Sequence, residues 1–279
     1  QYVYGVWDAD LLADKVVFAR EHIEKLEAGI AEPVKTLEGI EIFRTFIPRH
    51  RYQMGVDAAE GGESEVDTNK RDWAAITLVD LDTEEEVASW AGRIPPDATA
   101  EKAIRLARMF QDANTVCRIV PEMNSIGLAL VNVLKRETDI RIYEREEYDR
   151  RSGKRLSKLG FRTTRQTKPL LVSRFQELLR LKNPKLRSAR IVEQFKTFIW
   201  TDDSKKQGMG AEEGFHDDRL ISCLLAFWEK GPVVSGGVYR PPEEKQAPSF
   251  LVERRGRLTL DPKLIKPDLE LHPRSWMTV

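Results

Sequence analysis

The chain lacks most of the features that assign a protein to a class by composition alone. It has two cysteines among its 279 residues, Cys117 and Cys223, and each lies in an apolar run. This favours two buried free thiols and a reducing compartment over a disulfide. The absence of a Cys-x-x-Cys pair argues against a structural zinc site. No apolar run approaches the roughly 20 residues that span a bilayer, so we predict no membrane segment.

Two catalytic signatures are missing as well. The sequence has no Gly-x-Ser-x-Gly elbow and no nucleophile–histidine pair, which argues against a serine or cysteine hydrolase. It also has no Gly-x-x-x-x-Gly-Lys-Ser/Thr loop, so we expect no ATP hydrolysis from this chain. Any active site must therefore be assembled from residues that are scattered along the sequence.

The chain has no excess of charge of one sign, because 45 Lys and Arg balance 45 Asp and Glu. The charges are unevenly distributed, however. Residues 141–190 contain sixteen Lys or Arg and five Asp or Glu, whereas residues 57–101 are predominantly acidic. This pattern predicts a basic region suited to phosphates and an acidic region suited to a metal ion.

The spacing of apolar residues predicts an α/β protein. The predicted helices span 8–29, 99–114, 126–136, 167–182 and 217–229, and the predicted strands 52–57, 73–81, 87–94, 118–121 and 140–143. In the helix 167–182, Leu170, Leu171 and Phe175 are expected to face inward. Residues 201–214 are expected to form a loop or hairpin. Three antiparallel strands followed by alternating helices and strands predict an RNase H-like mixed β-sheet flanked by helices on both faces.

Carboxylates occupy the ends of three of these predicted elements. Asp57 ends a strand, Glu122 follows an apolar strand, and Asp217 and Asp218 begin a helix. Taken singly, each also fits a capping or surface role, since helix N-termini favour acids. If folding brings them together, they repel one another unless cations neutralise them. Hard oxygen ligands of this kind suit Mg²⁺ or Mn²⁺, so the sequence predicts a divalent-metal site.

Several motifs around these acids carry a family resemblance. They are Gly-Val-Asp at 55–57, Asp-x-x-Ala at 72–75, Glu-x-Asn-x-x-Gly at 122–127, Thr-x-x-x-Thr-Lys-Pro at 163–169 and Gly-x-His-Asp-Asp at 214–218. With these motifs, residues 50–230 resemble the C-terminal nuclease domain of the large terminase subunit of tailed bacteriophages.

The resemblance implies a metal-dependent endonuclease that cuts concatemeric double-stranded viral DNA at the start and end of packaging. Asp57, Glu122 and Asp218 would be the metal ligands, and Asp217 would be catalytic as a partner of Asp218. Two ions about 4 Å apart would activate water and stabilise the leaving oxygen, with Asp57 bridging both. The accessory residues implied are Asp72, Asn124 and His216. The implied partners are DNA, the small terminase subunit and the portal protein, in the host cytoplasm.

The same resemblance implies a division into three parts. Residues 1–50 would be a linker helix and connector from an upstream ATPase domain, 51–230 the nuclease domain, and 231–279 a Pro-rich tail. The basic residues expected to contact DNA phosphates are Lys154, Arg155, Lys158, Arg162, Arg165, Lys168, Lys205 and Lys206.

Two other interpretations remain open from the sequence. Another RNase H-like nuclease, of the resolvase or transposase type, would share the acidic core but would not be expected to carry the Glu-x-Asn-x-x-Gly and Thr-Lys-Pro motifs together. A non-catalytic DNA-binding or motor-docking module would use the same acids structurally. Its stability would not respond to divalent ions.

Overall fold

The computed structural model describes residues 15–59, 73–124, 126–149, 154–203, 206–228, 251–254 and 257–260. The chain divides into two compact units, residues 1–230 and 231–279. The strands of the first unit's sheet are β1 (Lys35–Leu37), β2 (Ile40–Ile42), β3 (Tyr52–Asp57), β4 (Ala74–Asp80), β5 (Glu85–Gly92), β6 (Cys117–Pro121) and β7 (Arg141–Ile142).

The seven strands form one mixed sheet in the order β1-β2-β5-β4-β3-β6-β7. Every pair from β1 to β3 in this order is antiparallel, whereas β6 is parallel to β3 and β7 is parallel to β6. β3 and β4 are buried along their whole length, as expected for strands covered on both faces. The predicted fold class is confirmed.

Among the described residues, six helices accompany the sheet: α1 (Arg20–Glu27), α2 (Pro96–Met109), α3 (Gly127–Leu134), α4 (Lys168–Leu181), α5 (Ala189–Lys196) and α6 (Asp218–Ala226). Because side chains alternate along a strand, β3 contributes residues to both faces of the sheet. Met54 and Val56 join the apolar core formed with α2 and α3. Gly55, between them in sequence, faces α6 and touches the backbone around Ser222.

A second apolar cluster holds α6 against the helices behind it. The ring of Phe175 on α4 lies 5.2 Å from that of Phe195 on α5 and 5.3 Å from that of Phe227, which follows α6. Phe18 lies 4.7 Å from Phe195. These rings prefer tilted or edge-on contacts of this kind. The helix that begins with Asp218 is therefore fixed from both sides.

The structure corrects several details of the expected pattern. Leu170 is 55% exposed, because Leu171 and Phe175 (one turn apart) set the inward stripe of α4 and Leu170 lies to its side. Residues 144–159 form an unanticipated hairpin of β8 (Glu144–Asp149) and β9 (Lys154–Leu159). The loop or hairpin expected at 201–214 is part of a hairpin of β10 (Phe198–Asp203) and β11 (Lys206–Ala211).

The segments expected to flank the nuclease domain also contain regular structure. β1 and β2, within residues 1–50, are the two outermost strands on one side of the main sheet, with β1 at its edge. The eight described residues of the second unit form an antiparallel pair, β12 (Leu251–Arg254) with β13 (Arg257–Leu260). The division into linker, nuclease domain and tail stays a prediction.

Two expectations from composition concern the cysteines and membrane-spanning helices. Cys117 and Cys223 are both buried and free, as predicted. Within the described ranges, no helix combines the length and apolar character that a bilayer span requires.

Candidate active site

Two of the predicted carboxylates lie at the carboxyl ends of neighbouring parallel strands. Asp57 is the last residue of β3, and Glu122 directly follows β6. The strands pair in the register Val56↔Pro121, and the backbone N–H of Glu122 donates to the carbonyl of Val56 at 2.8 Å. Continuous pairing up to this point places the two acids side by side at the carboxyl ends of the two strands.

The Glu-x-Asn-x-x-Gly motif shapes the turn that follows Glu122. The amide oxygen of Asn124 accepts the backbone N–H groups of Ile126 (3.1 Å) and Gly127 (2.8 Å), while its amide nitrogen donates to Glu122 Oε2 at 3.1 Å. A Cβ at position 127 would overlap the carbonyl oxygen of Glu122. Asn124 thus orients the carboxylate, and Gly127 lets α3 begin directly beside it.

The third carboxylate comes from the first residue of α6, which is anchored on the same face of the sheet. Gln53 on β3 is fully buried and donates to the carbonyls of Ala226 (2.9 Å) and Trp228 (2.6 Å) at the far end of the helix. Thr77 and Ser222 share a buried hydroxyl–hydroxyl hydrogen bond of 2.8 Å. These contacts fix the direction of α6 and hence the position of Asp218.

Asp217 and Asp218 have different surroundings although they are adjacent. Asp218 is buried, and its Oδ2 accepts the backbone N–H of Trp73 at 3.2 Å. Nδ1 of His216 lies 3.7 Å from the same carboxylate oxygen. Asp217 is instead paired with Lys168, whose Nζ donates to Oδ2 at 2.8 Å. Asp218 is therefore the buried acid of the two, whereas Asp217 is paired with a cation.

The carboxylates lie close enough to perturb one another. Burial, the negative charges of Glu122, Asp218 and Asp217, and a hydrogen bond with Glu122 raise the pKa of Asp57 well above its usual range. Asp57, Glu122 and Asp218 are each only 8–9% exposed. A set of buried oxygen donors with this excess of negative charge requires a proton or a cation, and it fits a hard divalent ion.

No protein-family model matches the sequence. Comparison with solved structures identifies phage proteins. The large terminase nuclease from thermophilic phage G20c with bound magnesium aligns with a TM-score of 0.57 and 17% identity, over 76% of this chain and 96% of that chain. The Thermus phage P74-26 large terminase nuclease domain aligns with a TM-score of 0.52 and 17% identity, over 74% of this chain and 93% of that chain. The chain has the fold of the large terminase nucleases. The resemblance seen in the motifs is confirmed at the level of fold.

Within the terminase nuclease fold, most of the predicted DNA contacts lie on one continuous segment. Lys154, Arg155 and Lys158 are exposed on β9, and Arg162 and Arg165 are exposed in the loop before α4. Between these two groups, Phe161 forms a parallel bridge with Glu122, so the segment passes the carboxylates. On β8, Glu146 lies 3.6 Å from Arg155 and Glu147 lies 2.6 Å from Lys158.

The remaining predicted residues fall into two groups. Lys168 begins α4 and is engaged with Asp217, as described above. Lys206 begins β11. Asp72 and Lys205 lie outside the described residues. The roles assigned to all of these residues stay predictions.

Several positioning residues were not anticipated from the sequence. Gln53 is the clearest, because a polar side chain in the middle of a buried strand signals a specific partner; that partner is the end of α6. Gly55 belongs to the Gly-Val-Asp motif, and the structure shows that it also provides the close approach between β3 and α6. The Lys168–Asp217 pair joins two motifs that are 49 residues apart, and no local pattern shows such a contact.

A second acidic cluster lies at the opposite end of the sheet. The ligand atoms of His50, Asp80 and Asp82 all lie within 4.8 Å of one another, a spacing that no other such trio among the described residues reaches. Because Tyr52 pairs with Asp80 and Asp57 with Ala75, this cluster is five residues along the strands from Asp57, or about 17 Å.

Arginines already neutralise that second cluster. Asp80 pairs with Arg44 at 2.6 Å, and Asp82 pairs with Arg51 at 2.8 Å. Asp80 Oδ1 also accepts backbone N–H groups from Asp82 and Thr83, which shapes the turn between β4 and β5. We assign the cluster to turn stabilisation.

Proposed function

We propose that this chain is a divalent-metal-dependent endonuclease that cuts concatemeric double-stranded DNA during viral genome packaging. The observation that carries the proposal is the convergence of Asp57, Glu122 and Asp218 at one edge of a sheet that has the terminase nuclease fold. Two of the solved neighbours contain bound magnesium or cobalt. The donor set here is chemically suited to such ions.

The residues of the chain have distinct tasks in this proposal. Asp57, Glu122 and Asp218 would hold a pair of Mg²⁺ or Mn²⁺ ions. When bound there, the ions would supply the activation of water and the stabilisation of the departing oxygen in phosphodiester hydrolysis, so no side-chain base would be required. Asn124 holds the Glu122 carboxylate in place, and the buried anchors of α6 hold Asp218. Lys168 neutralises Asp217, which limits the negative charge that meets an incoming phosphate.

The proposal extends to partners and location. Double-stranded DNA would contact the basic segment from Lys154 to Lys168, and the small terminase subunit and the portal protein would be the protein partners. The two free, buried cysteines are compatible with the reducing host cytoplasm.

Cleavage of supercoiled plasmid by the full chain tests the function. We expect nicking and linearisation in Mg²⁺ or Mn²⁺ and none in EDTA, because without cations the clustered negative charges repel the DNA phosphate and nothing stabilises the departing oxygen. A folded chain that leaves plasmid intact with both ions contradicts the proposal and favours the non-catalytic docking module. Preferential cutting of four-way junctions over linear duplex favours the resolvase interpretation.

The orientation of Glu122 provides a second test through Asn124→Asp. The new carboxylate keeps an acceptor for the Ile126 and Gly127 N–H groups but replaces the donor to Glu122 with a negative charge. We expect cleavage to fall by about 10- to 100-fold, the scale for lost outer-shell support of a metal ligand. The melting temperature should change little, because the turn keeps its hydrogen bonds.

Asn124→Ala is the matched control for that experiment. It removes both functions of the side chain, so it should lower cleavage and also destabilise the protein by about 1 kcal/mol. Equal activity of Asn124→Asp and the wild-type chain would show that the contact with Glu122 is not needed.

A further inference from the structure

An aromatic–cation pair lies at the strand ends next to the carboxylates. Across β3, β4 and β5, Asp57 pairs with Ala75 and Ala75 pairs with Ala91, followed by Ala74 with Gly92. Trp73 directly precedes β4 and Arg93 directly follows β5, so both lie just beyond the last pair of this register. The Arg93 guanidinium lies over the Trp73 ring, with its central carbon 4.9 Å from the ring centroid.

The backbone of Trp73 is tied to the candidate site. Its N–H donates to Asp218 Oδ2 at 3.2 Å. Trp73 therefore contacts both groups: its ring stacks with Arg93, and its backbone N–H binds the Asp218 carboxylate. A group bound by Arg93 would have a defined position relative to Asp218.

Arg93 differs in its partners from two arginines at the opposite end of the β4–β5 pair. Arg44 is paired with Asp80 and Glu85, and Arg187 is paired with Glu85. Arg93 is exposed and its guanidinium stacks on the Trp73 ring, and no carboxylate of the described residues lies at ion-pair distance from it. Stacking uses the flat face of a guanidinium and leaves the N–H groups at its edge for an acceptor.

We propose that Arg93, supported by the Trp73 ring, binds a backbone phosphate of the DNA beside the cleavage position. This rests on the proposed nuclease function and adds a phosphate site on the β4–β5 side of the carboxylates, opposite the basic segment that passes Glu122. Arg93 lies two strand spacings across the sheet and two residues along the strands from Asp57, or about 12 Å. That distance corresponds to about three to four nucleotides along one strand of B-form DNA. The two sides would hold the duplex on either flank of the cut.

The chemistry of the pair suits this ligand. A guanidinium forms paired hydrogen bonds with phosphate oxygens. The aromatic face restricts its motion and adds a cation–π contact, so less freedom is lost on binding. Because the contact is to the backbone, it contributes affinity and register, with no preference for base sequence.

The test is DNA binding in EDTA, where cleavage is absent, with the full chain and a short fluorescent duplex at several NaCl concentrations. Arg93→Gln should weaken binding roughly tenfold at low salt. It should also reduce the slope of log K against log salt by about 0.9, the value for one lost phosphate contact. Arg93→Lys keeps the charge, so it should keep the wild-type slope while binding less tightly.

Lys102→Gln is the matched control. Lys102 also lies over a tryptophan, with Nζ 5.1 Å from the centroid of Trp90, but it is on α2, and α2 packs on the face of the sheet away from α6. Its affinity and salt slope should equal those of the wild type. Unchanged melting temperatures would show that all the variants remain folded.

The outcomes separate this inference from the proposed function. If Arg93→Gln binds within twofold of the wild type with the same salt slope, the Arg93 site is overturned. The nuclease proposal is then unaffected, provided that plasmid cleavage still requires divalent ions and Asp57. If cleavage does not require Asp57, the nuclease proposal fails, whatever the binding data show.

Discussion

Asp57→Asn is expected to reduce plasmid cleavage by at least roughly 10³-fold, the scale for removing a residue that acts within one catalytic unit. Asn keeps the size of the side chain and one oxygen but removes the negative charge. Asp57 is on β3, between Glu122 at the end of the neighbouring strand β6 and the helix α6, which packs on β3 and carries Asp218. Asp97→Asn, at an exposed acid in the first turn of α2, is the control and should cleave like the wild type.

The same variant has a signature in stability that does not depend on cleavage. The pKa of Asp57 is raised in the folded protein by burial and by Glu122, Asp218 and Asp217. A raised folded pKa means that the contribution of this group to stability is present at low pH and is lost as pH rises through the folded pKa. In EDTA, the wild-type melting temperature should therefore fall with rising pH more steeply than that of Asp57→Asn.

Adding Mg²⁺ at neutral pH should raise the melting temperature of the wild type above that of Asp57→Asn. An ion that binds only the folded chain stabilises it by mass action, so the wild type should gain melting temperature. Asp57→Asn should gain far less. Cleavage that survives the substitution, or an equal Mg²⁺ response in both proteins, would place the metal chemistry away from Asp57.

Gly55→Ala is expected to have the largest effect on stability. A Cβ at position 55 would overlap the carbonyl oxygen of Ser222 and lie 2.5 Å from the backbone nitrogen of Ala226. These are backbone atoms of α6 and cannot rotate away, so the helix must move off the sheet. Overpacking of this kind costs about 1–3 kcal/mol, which corresponds to a fall in melting temperature of roughly 2–12 °C for a domain of this size.

Activity should fall with stability in Gly55→Ala, because α6 carries Asp218 at its first turn. Gly210→Ala on β11 is the control: no atom lies within 4 Å of the added Cβ, so the variant should retain its melting temperature and cleavage. A Gly55→Ala protein with wild-type stability would show that α6 is held less closely to β3 than the structure indicates.

Local sequence patterns were sufficient for most of the fold because the core strands are unusually clear. The strand 52–57 was predicted with the bounds that the structure shows, since an apolar run ends there on a carboxylate. The missed hairpin, Glu144–Leu159, is highly charged and lacks an apolar face. Contacts between its strands, such as the 2.6 Å pair of Lys158 with Glu147, support it. Such pairs depend on register and leave no periodic signal.

The sequence by itself determined the α/β class, the order of the central elements and the carboxylates that end them, because apolar periodicity and turn residues act over short distances. Only the tertiary structure decided which acids share a site and which of them are paired with a cationic side chain. It placed Asp57 beside Glu122 through the β3–β6 register. It also pairs Asp217 with Lys168 and places Arg93 over Trp73. The acids around Asp80 are excluded as a metal site because they pair with arginines. Each of these depends on contacts between residues far apart in the chain, whose energies are set by burial and distance.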